Sequence, residues 1–383
     1  MRIFIFITWI IVCIQPIVFA QRKKSPNTAD IKQQVAKDID GKYEVYKKTA
    51  LQIWDFAEVG YKETKSSALH QQTLTENGFS VQPGVAGIPT AFVATYGTGK
   101  PVIGILAEYD ALPGLSQQAT PEKRPIAGKD AGHACGHHLF GTASVAAGIE
   151  IKKLIEQKKL NGTVKVFGTP AEEGGSGKVY MVREGLFNDV DVVLHWHPGS
   201  ENKVTMTSAL ANSSAKFRFR GVSAHASSAP EKGRSSLDAV EAMNYMVNMM
   251  REHIPQEARI HYVITNGGRA PNVVPDFAEV YYYVRHPDKT IVKQLFDRVV
   301  KAANGAAQGT ETTMEYEIIG GTHDLLLNKS LAGAMQKNLE QVGGVQYTSQ
   351  EVDFGKKVKG SLGFTAPAIE TASKITPLRT EPN

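Results

Sequence analysis

Three short motifs of this chain concentrate side chains that commonly bind divalent metal ions. In chain order they are Gly132-His133-Ala134-Cys135-Gly136-His137, Pro170-Ala171-Glu172-Glu173-Gly174 and His195-Trp196-His197-Pro198. Thiolate, imidazole and carboxylate are ligands that zinc and manganese accept. Because glycine or proline adjoins each motif, we expect each to lie where a strand turns into a loop or a helix. The sequence therefore predicts a metal centre at the strand ends of an α/β domain.

The first motif places a thiol two residues before an imidazole. We expect Cys135 and His137 to lie at the start of a helix, where exposed N–H groups and the helix dipole favour the thiolate that metals bind. We therefore interpret both residues as metal ligands. The alternative is a buried, inert cysteine beside surface histidines. His133 and His138 are less favoured as ligands, and one of them could instead orient a ligand through a hydrogen bond.

The second and third motifs supply carboxylates and further imidazoles. Glu172 and Glu173 point in opposite directions if their segment is extended, so one metal ligand and one general base is the natural division of roles. The alternative is an exposed acidic turn. His195 and His197 would lie on the same side if the strand continues through them, and one ligand is enough. We favour His197 because the adjacent Pro198 fixes the chain there, and the alternative is a pair of structural loop histidines.

Four polar residues outside these motifs are further candidates for the site. Asp110 follows a hydrophobic strand and could orient a ligand imidazole through its second nitrogen, although a turn-forming aspartate is the alternative. His225, Asn272 and Arg285 occur in the second half of the chain. Their side chains suit a carbonyl oxyanion or a substrate carboxylate, and each of them could equally be structural.

The composition limits the class of protein. The chain has 383 residues, a length that suits two domains. Its formal net charge is +5, and no basic block alternates with aromatic residues, so we do not expect it to bind nucleic acid. Cys13 and Cys135 are its only cysteines. If Cys13 is removed with a leader segment, the mature chain has no intramolecular disulfide.

Residues 1–20 have the pattern of a secretory signal peptide. Arg2 precedes an almost wholly apolar run, and Val18-Phe19-Ala20 provides the small residues expected for cleavage after Ala20. We therefore expect an exported protein, periplasmic or secreted, with no membrane segment after cleavage. The alternative is an uncleaved membrane anchor, although the run is short for a span and Pro16 interrupts it.

The order of the predicted elements explains how the motifs are brought together. Strands alternate with helices over residues 21–203, a pattern typical of an α/β domain whose mostly parallel sheet is sandwiched by helices. In such sheets, sites form at the carboxyl ends of the strands. Residues 204–320 instead follow the order β-α-β-β-α-β, which predicts an inserted α+β, ferredoxin-like lid. We assign residues 321–383, which return to helix, to the second part of the first domain.

Four motifs in this order resemble a known family. They are His133–His137, Pro170–Gly175, Gly221–His225 and Asn272–Asp276. They are similar to motifs of the metal-dependent aminoacylase and amidohydrolase peptidases, zinc-exopeptidase-like enzymes that include auxin-conjugate and hippurate hydrolases. Trp196-His197-Pro198-Gly199 most resembles the aminobenzoyl-glutamate utilisation branch of that family. The resemblance implies a catalytic domain with two divalent metal ions, zinc or manganese, and a lid that makes a homodimer or binds a partner subunit.

The resemblance also implies roles for the matching residues. Four of them match metal ligands, namely Cys135, His137, Glu173 and His197. Glu172 matches the general base, and Asp110 matches the acidic position after the early strand. In the lid, His225 matches a histidine that can reach a partner's active site, and Asn272 and Arg285 match positions near the substrate.

Two functional hypotheses follow from the residues and the resemblance. The first is hydrolysis of the amide bond of an N-acyl or N-aroyl amino acid, with p-aminobenzoyl-glutamate as the leading substrate. Members of this branch continue past the equivalent of residues 375–379 and carry a later metal-binding histidine, whereas no histidine follows His323 here. We therefore expect a C-terminally truncated chain. The alternative hypothesis is a non-catalytic or partner-dependent subunit that lacks the last metal ligand.

Overall fold

The computed structural model describes residues 28–362, 365 and 367–379. The predicted signal segment, residues 1–20, and Cys13 lie outside the described residues. Over the described ranges, no helix is both long and apolar enough to cross a membrane.

Helices and strands follow the predicted order closely. The helices are α1 (Thr28–Asp40), α2 (Tyr43–Phe56), α3 (Thr64–Glu76), α4 (His137–Glu156), the single distorted turn α5 (Glu172–Gly175), α6 (Gly177–Arg183), α7 (Ser236–Met249), α8 (Lys289–Gly309), α9 (Lys329–Val342) and α10 (Ser349–Ser361). The strands are β1 (Ser80–Pro83), β2 (Phe92–Thr98), β3 (Val102–Ala107), β4 (Leu112–Pro113), β5 (Ala131–Gly132), β6 (Gly162–Gly168), β7 (Val192–Leu194), β8 (Ala211–Arg220), β9 (Arg259–Asn266), β10 (Phe277–His286) and β11 (Thr313–Thr322). The periodic pattern predicts one helix over residues 30–57, but the chain breaks it into α1 and α2 at Gly41. No pattern predicts α10, which begins at a capping box between Thr348 and Glu351.

The first sheet is mixed rather than mostly parallel, which corrects the expectation from the sequence. Its five strands lie in the order β1-β2-β6-β3-β7. β6, β3 and β7 run parallel to one another, whereas β1 and β6 both pair antiparallel with β2. The connections over residues 84–91 and 99–101 are the reason, because a parallel crossover needs about a dozen residues or more.

Helices cover both faces of this sheet, as the alternation of strands and helices predicts. Side chains alternate along a strand. Phe92 of β2 packs on one face with Ile53 of α2 and Val145 of α4. Val93 packs on the opposite face with Met181 of α6. Both faces are therefore buried, so polar side chains converge at the ends of the strands rather than on the sheet.

The second sheet is antiparallel and forms its own core. Its strands lie in the order β11-β8-β10-β9, and each neighbouring pair is antiparallel. In chain order the unit is β8-α7-β9-β10-α8-β11, the ferredoxin-like arrangement predicted for the lid. Phe217, Tyr282 and Val299 are fully buried between this sheet and its helices. The predicted fold class, an α/β domain with an inserted ferredoxin-like unit, is confirmed.

Candidate metal centre

Three neighbouring parallel strands deliver the polar residues of the candidate centre. β3 leads to Glu108 and Asp110, β6 leads to α5, and β7 leads to His195 and His197. Because the carboxyl ends of parallel neighbours meet at one edge of a sheet, these residues lie close together. α4 starts at the same place, with His137 as its first residue. The three predicted motifs therefore converge.

Cys135, His137 and His197 form the first group of potential ligands. One atom from each lies within 4.8 Å of the others. The Cys135 sulfur is 3.4 Å from Nε2 of His197, and that nitrogen is 3.4 Å from Nε2 of His137. His137 is fully buried, so its ring has a fixed position. A thiol and two imidazoles at these distances can surround one cation.

Glu108, His137 and Glu172 form a second group, which shares His137 with the first. One ligand atom from each lies within 4.8 Å of the others, and Oε2 of Glu108 is 3.0 Å from Nε2 of His137. This grouping differs from the sequence interpretation in two respects. Glu108 is not among the predicted site residues, and the predicted ligand Glu173 belongs to neither group. The Glu173 carboxylate instead lies beside the thiol of Cys135.

Asp110 links two parts of the centre. Its Oδ1 is 2.9 Å from Nδ1 of His137, and its Oδ2 accepts the backbone N–H of Glu173 at 2.8 Å. A carboxylate only accepts hydrogen bonds when ionised. Nδ1 of His137 is therefore assigned a proton that it donates to Asp110. Nε2 faces Oε2 of Glu108 at 3.0 Å, so this nitrogen also needs a proton unless a cation lies between the two atoms. Asp110 thus orients an imidazole, the arrangement considered for it from the sequence.

The chemistry of the donor set fits divalent cations. Oε1 of Glu173 is buried and has no hydrogen-bond partner among the described residues. Oε2 of Glu108 is buried as well, and among the described residues it has only the ion-pair contact with His137. Burial raises the pKa of the Cys135 thiol to about 12, and the neighbouring Glu173 carboxylate acts in the same direction. A thiolate beside these carboxylates needs a cation to neutralise it. The centre therefore suits metal ions better than it suits an unoccupied cluster of acids.

Lys178 and His195 both lie beside Glu108 at the edge of the centre. The ammonium of Lys178 forms an ion pair with Oε1 of Glu108, and Nε2 of His195 is 3.8 Å from the same oxygen. Burial alone would raise the pKa of Glu108, but His195, Lys178 and His137 outweigh burial and lower it to about 2. Burial also raises the pKa of Glu172, and the charge of Glu108 adds to that effect. No sequence motif indicated Lys178, and only the glycine-rich stretch Gly174–Gly177 before it marks its position.

The structure does not bring the three lid candidates together. His225 pairs with Val273, and the N–H of Ala226 donates to the carbonyl of Asn272 at 3.0 Å, so His225 and Asn272 are neighbours. Both lie beyond the end of the sheet at which Arg220 pairs with Phe277, the first residue of β10, whereas Arg285 lies near the last residue of that strand. A strand of 10 residues separates the two ends by roughly 30 Å.

The Arg285 end of the lid sheet is the end that approaches the metal centre. Arg285 pairs with Asn212, close to the residues that join the lid to the first sheet. A Cβ placed on Gly320 of β11 would lie 3.5 Å from Oγ of Ser176, the residue that follows α5. The guanidinium of Arg285 stacks on the ring of Tyr283 at 4.8 Å. His225 and Asn272 therefore lie far from the centre of their own chain.

Comparison with known proteins places the chain in a family. The model of peptidase family M20/M25/M40 matches residues 104–357. The chain is 45% identical over 336 residues to one of the subunits of p-aminobenzoyl-glutamate hydrolase from Escherichia coli (strain K12), and the match covers 86% of this chain and 70% of the relative. Among solved structures, an aminobenzoyl-glutamate utilization protein from Klebsiella pneumoniae is similar with a TM-score of 0.62 at 20% identity, covering 79% of this chain and 82% of that one.

A second solved structure has the same fold. The YXEP protein of Bacillus subtilis, a dinuclear metal binding peptidase from the M20 family, is similar with a TM-score of 0.53 at 19% identity, covering 81% of this chain and 79% of that one. The family model spans most of the chain, and the strand ends that the fold brings together carry the three motifs. The chain belongs to peptidase family M20/M25/M40 and is a hydrolase of that family.

Proposed function

We propose that this chain hydrolyses the amide bond of N-acyl or N-aroyl amino acids, with p-aminobenzoyl-glutamate as its leading substrate. The observation that carries the proposal is the position of Glu172, which has a carboxylate oxygen within 4.8 Å of ligand atoms of Glu108 and His137. His137 also belongs to the group of Cys135 and His197, so a carboxylate base faces potential metal ligands. The identity of 45% with a p-aminobenzoyl-glutamate hydrolase chain supports this choice of substrate.

The proposal includes two divalent ions, zinc or manganese. Cys135, His137, Glu173 and His197 would hold them, and Glu108 offers one more carboxylate. When bound, such ions polarise an amide carbonyl and make water nucleophilic near neutral pH.

Glu172 would move the proton in this reaction. Its carboxylate takes a proton from the attacking water as the new carbon–oxygen bond forms, and delivers it to the amide nitrogen as the carbon–nitrogen bond breaks. The products are a carboxylic acid and a free amino acid. Burial and the charge of Glu108 raise the pKa of Glu172, which makes it a stronger base. Asp110 would keep the lone pair of His137 directed into the centre.

The lid residues would divide between two subunits. Arg285 lies at the end of the lid sheet that approaches Ser176, where it would bind the carboxylate of the substrate. His225 and Asn272 lie at the opposite end, so we propose that they serve the active site of a second subunit, with His225 steadying the oxyanion. This requires a homodimer or a partner subunit. Apolar side chains exposed on α7 and on the edge strand β9 suit such a contact: Tyr245, Met249, Val263 and Ile264.

Export and domain organisation are also part of the proposal. We propose that residues 1–20 direct export and are removed after Ala20, so that the N-terminal sequence of exported protein begins at Gln21. A membrane fraction that retains residues 1–20 would contradict it. We also propose that residues 204–320 form a lid inserted between residues 21–203 and 321–383, and that limited proteolysis cuts first near residues 204 and 320.

The decisive experiment measures release of p-aminobenzoate by the chain loaded with zinc or with manganese. Glu172→Gln should lower kcat about 100-fold or more, because the amide side chain cannot accept the proton. Glu184→Gln is the matched control, since Glu184 is exposed and contacts only the neighbouring Arg183 among the described ion pairs. Its kcat should stay within twofold of the wild type. Undiminished turnover by Glu172→Gln, or no turnover by either loaded wild-type form, would refute the proposal.

A further inference from the structure

The segment between α2 and α3 wraps the turn that carries Glu172 and Glu173. We call residues 58–63 the wrapping segment and residues 171–176 the acidic turn. The hydroxyl of Tyr61 donates to the carbonyl of Gly175 at 2.5 Å. A Cβ placed on Gly60 would lie 3.0 Å from Cα of Ala171, so the two backbones are packed against each other. The wrapping segment therefore contacts both ends of the acidic turn.

Glu63 is the buried acid of the wrapping segment. Its side chain is fully buried. Its Oε1 accepts the backbone N–H of Ala171 at 2.7 Å, and its Oε2 accepts the hydroxyl of Thr90 at 3.0 Å. No described ion pair includes Glu63, and the proposed reaction gives it no role. A carboxyl group that is buried without a cation needs hydrogen bonds to offset its desolvation, so these two bonds fix its position.

Ala171 needs such a partner because its backbone conformation is unfavourable. Its φ of 55° and ψ of 44° lie in the left-handed region, which residues with a Cβ rarely adopt. This conformation turns the chain immediately before Glu172. Two residues after Ala171, the backbone N–H of Glu173 donates to Oδ2 of Asp110 at 2.8 Å. The amides immediately before and after Glu172 are thus each bonded to a buried carboxyl group, one from Glu63 and one from Asp110.

We propose that Glu63 is a positioning residue: it holds the left-handed backbone at Ala171 and so sets the direction of Glu172 and the place of Glu173. The inference rests on the proposed function for the role of Glu172 as base. The contact itself does not depend on the substrate, because it is the hydrogen bond from the N–H of Ala171 to the carboxylate of Glu63. A displacement of about 1 Å at a reacting group can cost on the order of 100-fold in rate.

Two substitutions separate the reach of the Glu63 side chain from its charge. Glu63→Gln keeps an oxygen that can accept the Ala171 N–H but removes the charge. Glu63→Asp keeps the charge but withdraws the carboxylate by one methylene. We expect kcat of Glu63→Gln to stay within about threefold of the wild type. We expect kcat of Glu63→Asp to fall about 10- to 100-fold with KM changed by less than threefold, because the base is misdirected while the substrate contacts remain.

Glu58 provides the matched control on the same segment. Its carboxylate accepts the N–H groups of Lys65 and Ser66 at 3.0 and 2.9 Å, so it holds the start of α3 instead of the acidic turn. Glu58→Asp should lower the melting temperature and leave kcat within twofold. A purely structural role for Glu63 would make its variants behave in the same way.

Two readouts do not depend on turnover. Zinc affinity, measured by competition with a chromophoric chelator, should fall at least tenfold in Glu63→Asp and stay near the wild-type value in Glu63→Gln, because Glu173 lies on the same turn. Hydrogen exchange of the peptide that contains Ala171 should accelerate only in Glu63→Asp. If the wild type hydrolyses no N-acyl amino acid, the proposed function fails, and these two readouts still decide the role of Glu63.

The outcomes that overturn the inference are specific. It is wrong if Glu63→Asp keeps the wild-type kcat, or if it keeps wild-type exchange at Ala171. It is also wrong if folded Glu63→Gln loses as much activity as Glu63→Asp, because charge rather than reach would then matter. Where Glu63→Asp does not fold, Thr90→Val replaces it. That variant removes the hydroxyl that bonds Oε2 of Glu63. It should lower kcat at least threefold and accelerate exchange at Ala171, and wild-type values of both would overturn the inference.

Discussion

His70 should make the stability of the metal-free chain depend on pH. The ring is fully buried on α3, and neither of its nitrogens has a hydrogen-bond partner among the described residues. Burial lowers its pKa to about 4, against about 6.5 in an unfolded chain. As the pH falls below about 6.5, the unfolded chain binds this proton first. Stability is therefore lost progressively until about pH 4, where the folded chain is protonated as well.

The size of the effect follows from the two pKa values. At pH 5, a histidine with a pKa of about 4 when folded and about 6.5 when unfolded costs about 2 kcal/mol of folding free energy relative to pH 7.5. Replacing the ring with an apolar side chain removes this cost. His70→Leu should therefore lose about 2 kcal/mol less stability than the wild type between pH 7.5 and pH 5. Some dependence will remain, because burial also lowers the pKa of His133 and of His138 to about 4.

Urea unfolding of chelator-treated protein at the two pH values measures this difference. His261→Leu is the matched control, since His261 lies exposed on β9, and it should lose as much stability as the wild type over the same interval. The comparison uses the change with pH, so an effect of the substitution on packing at pH 7.5 cancels. Equal losses for the wild type and His70→Leu would refute the argument, because they would show that the buried ring is not protonated on unfolding.

Two further predictions concern the centre and the lid. Asp110→Asn leaves one accepting oxygen in place of two, so the side chain can no longer accept both the Nδ1 proton of His137 and the N–H of Glu173. The loss of such an orienting group typically costs 10- to 100-fold in metal affinity. Zinc competition on folded variant should show that loss, and an unchanged affinity would show that Asp110 does not orient the imidazole. Met249→Glu places a charge on the exposed apolar surface of α7 and should convert a dimer to a monomer in light scattering after size exclusion. Val342→Glu on α9, where Val342 is 77% exposed, should leave the mass unchanged, and a dimer that survives Met249→Glu would exclude this surface.

Much of the fold and the convergence of the three motifs could be predicted from the sequence. Short apolar runs followed by glycine or proline indicate strand ends, and the carboxyl ends of parallel neighbours meet in any such sheet. This reasoning brings Cys135, His137 and His197 together without knowledge of strand order. The direction of each strand was harder to predict, because two strands can run parallel only if the segment between them is long enough to form a crossover connection. The segment 99–101 is too short, so β2 and β3 run in opposite directions and the sheet is mixed.

The lid shows a second limit of sequence reasoning. His225, Asn272 and Arg285 all suit an anion, and their residue types give no sign that they lie at opposite ends of one sheet. The register between β8 and β10 decides this, since it pairs Arg220 with Phe277 and Asn212 with Arg285. Register depends on how core side chains match across strands. A list of suitable polar residues therefore cannot show which of them can meet one substrate molecule.

The acids of the centre show this limit most clearly, because they differ in function although each carries the same carboxyl group. Glu108 is held by Lys178, Asp110 by an imidazole and an amide, and Glu63 by the amide of Ala171, 108 positions away in the chain. Each partner fixes what the carboxylate can do: an ion-paired acid carries charge, and an acid bonded to backbone amides orients the chain. The Glu172 carboxylate has no backbone or lysine partner among the described hydrogen bonds, and it is the group proposed to move a proton. Sequence spacing can nominate acids for a site, but their long-range partners assign the roles.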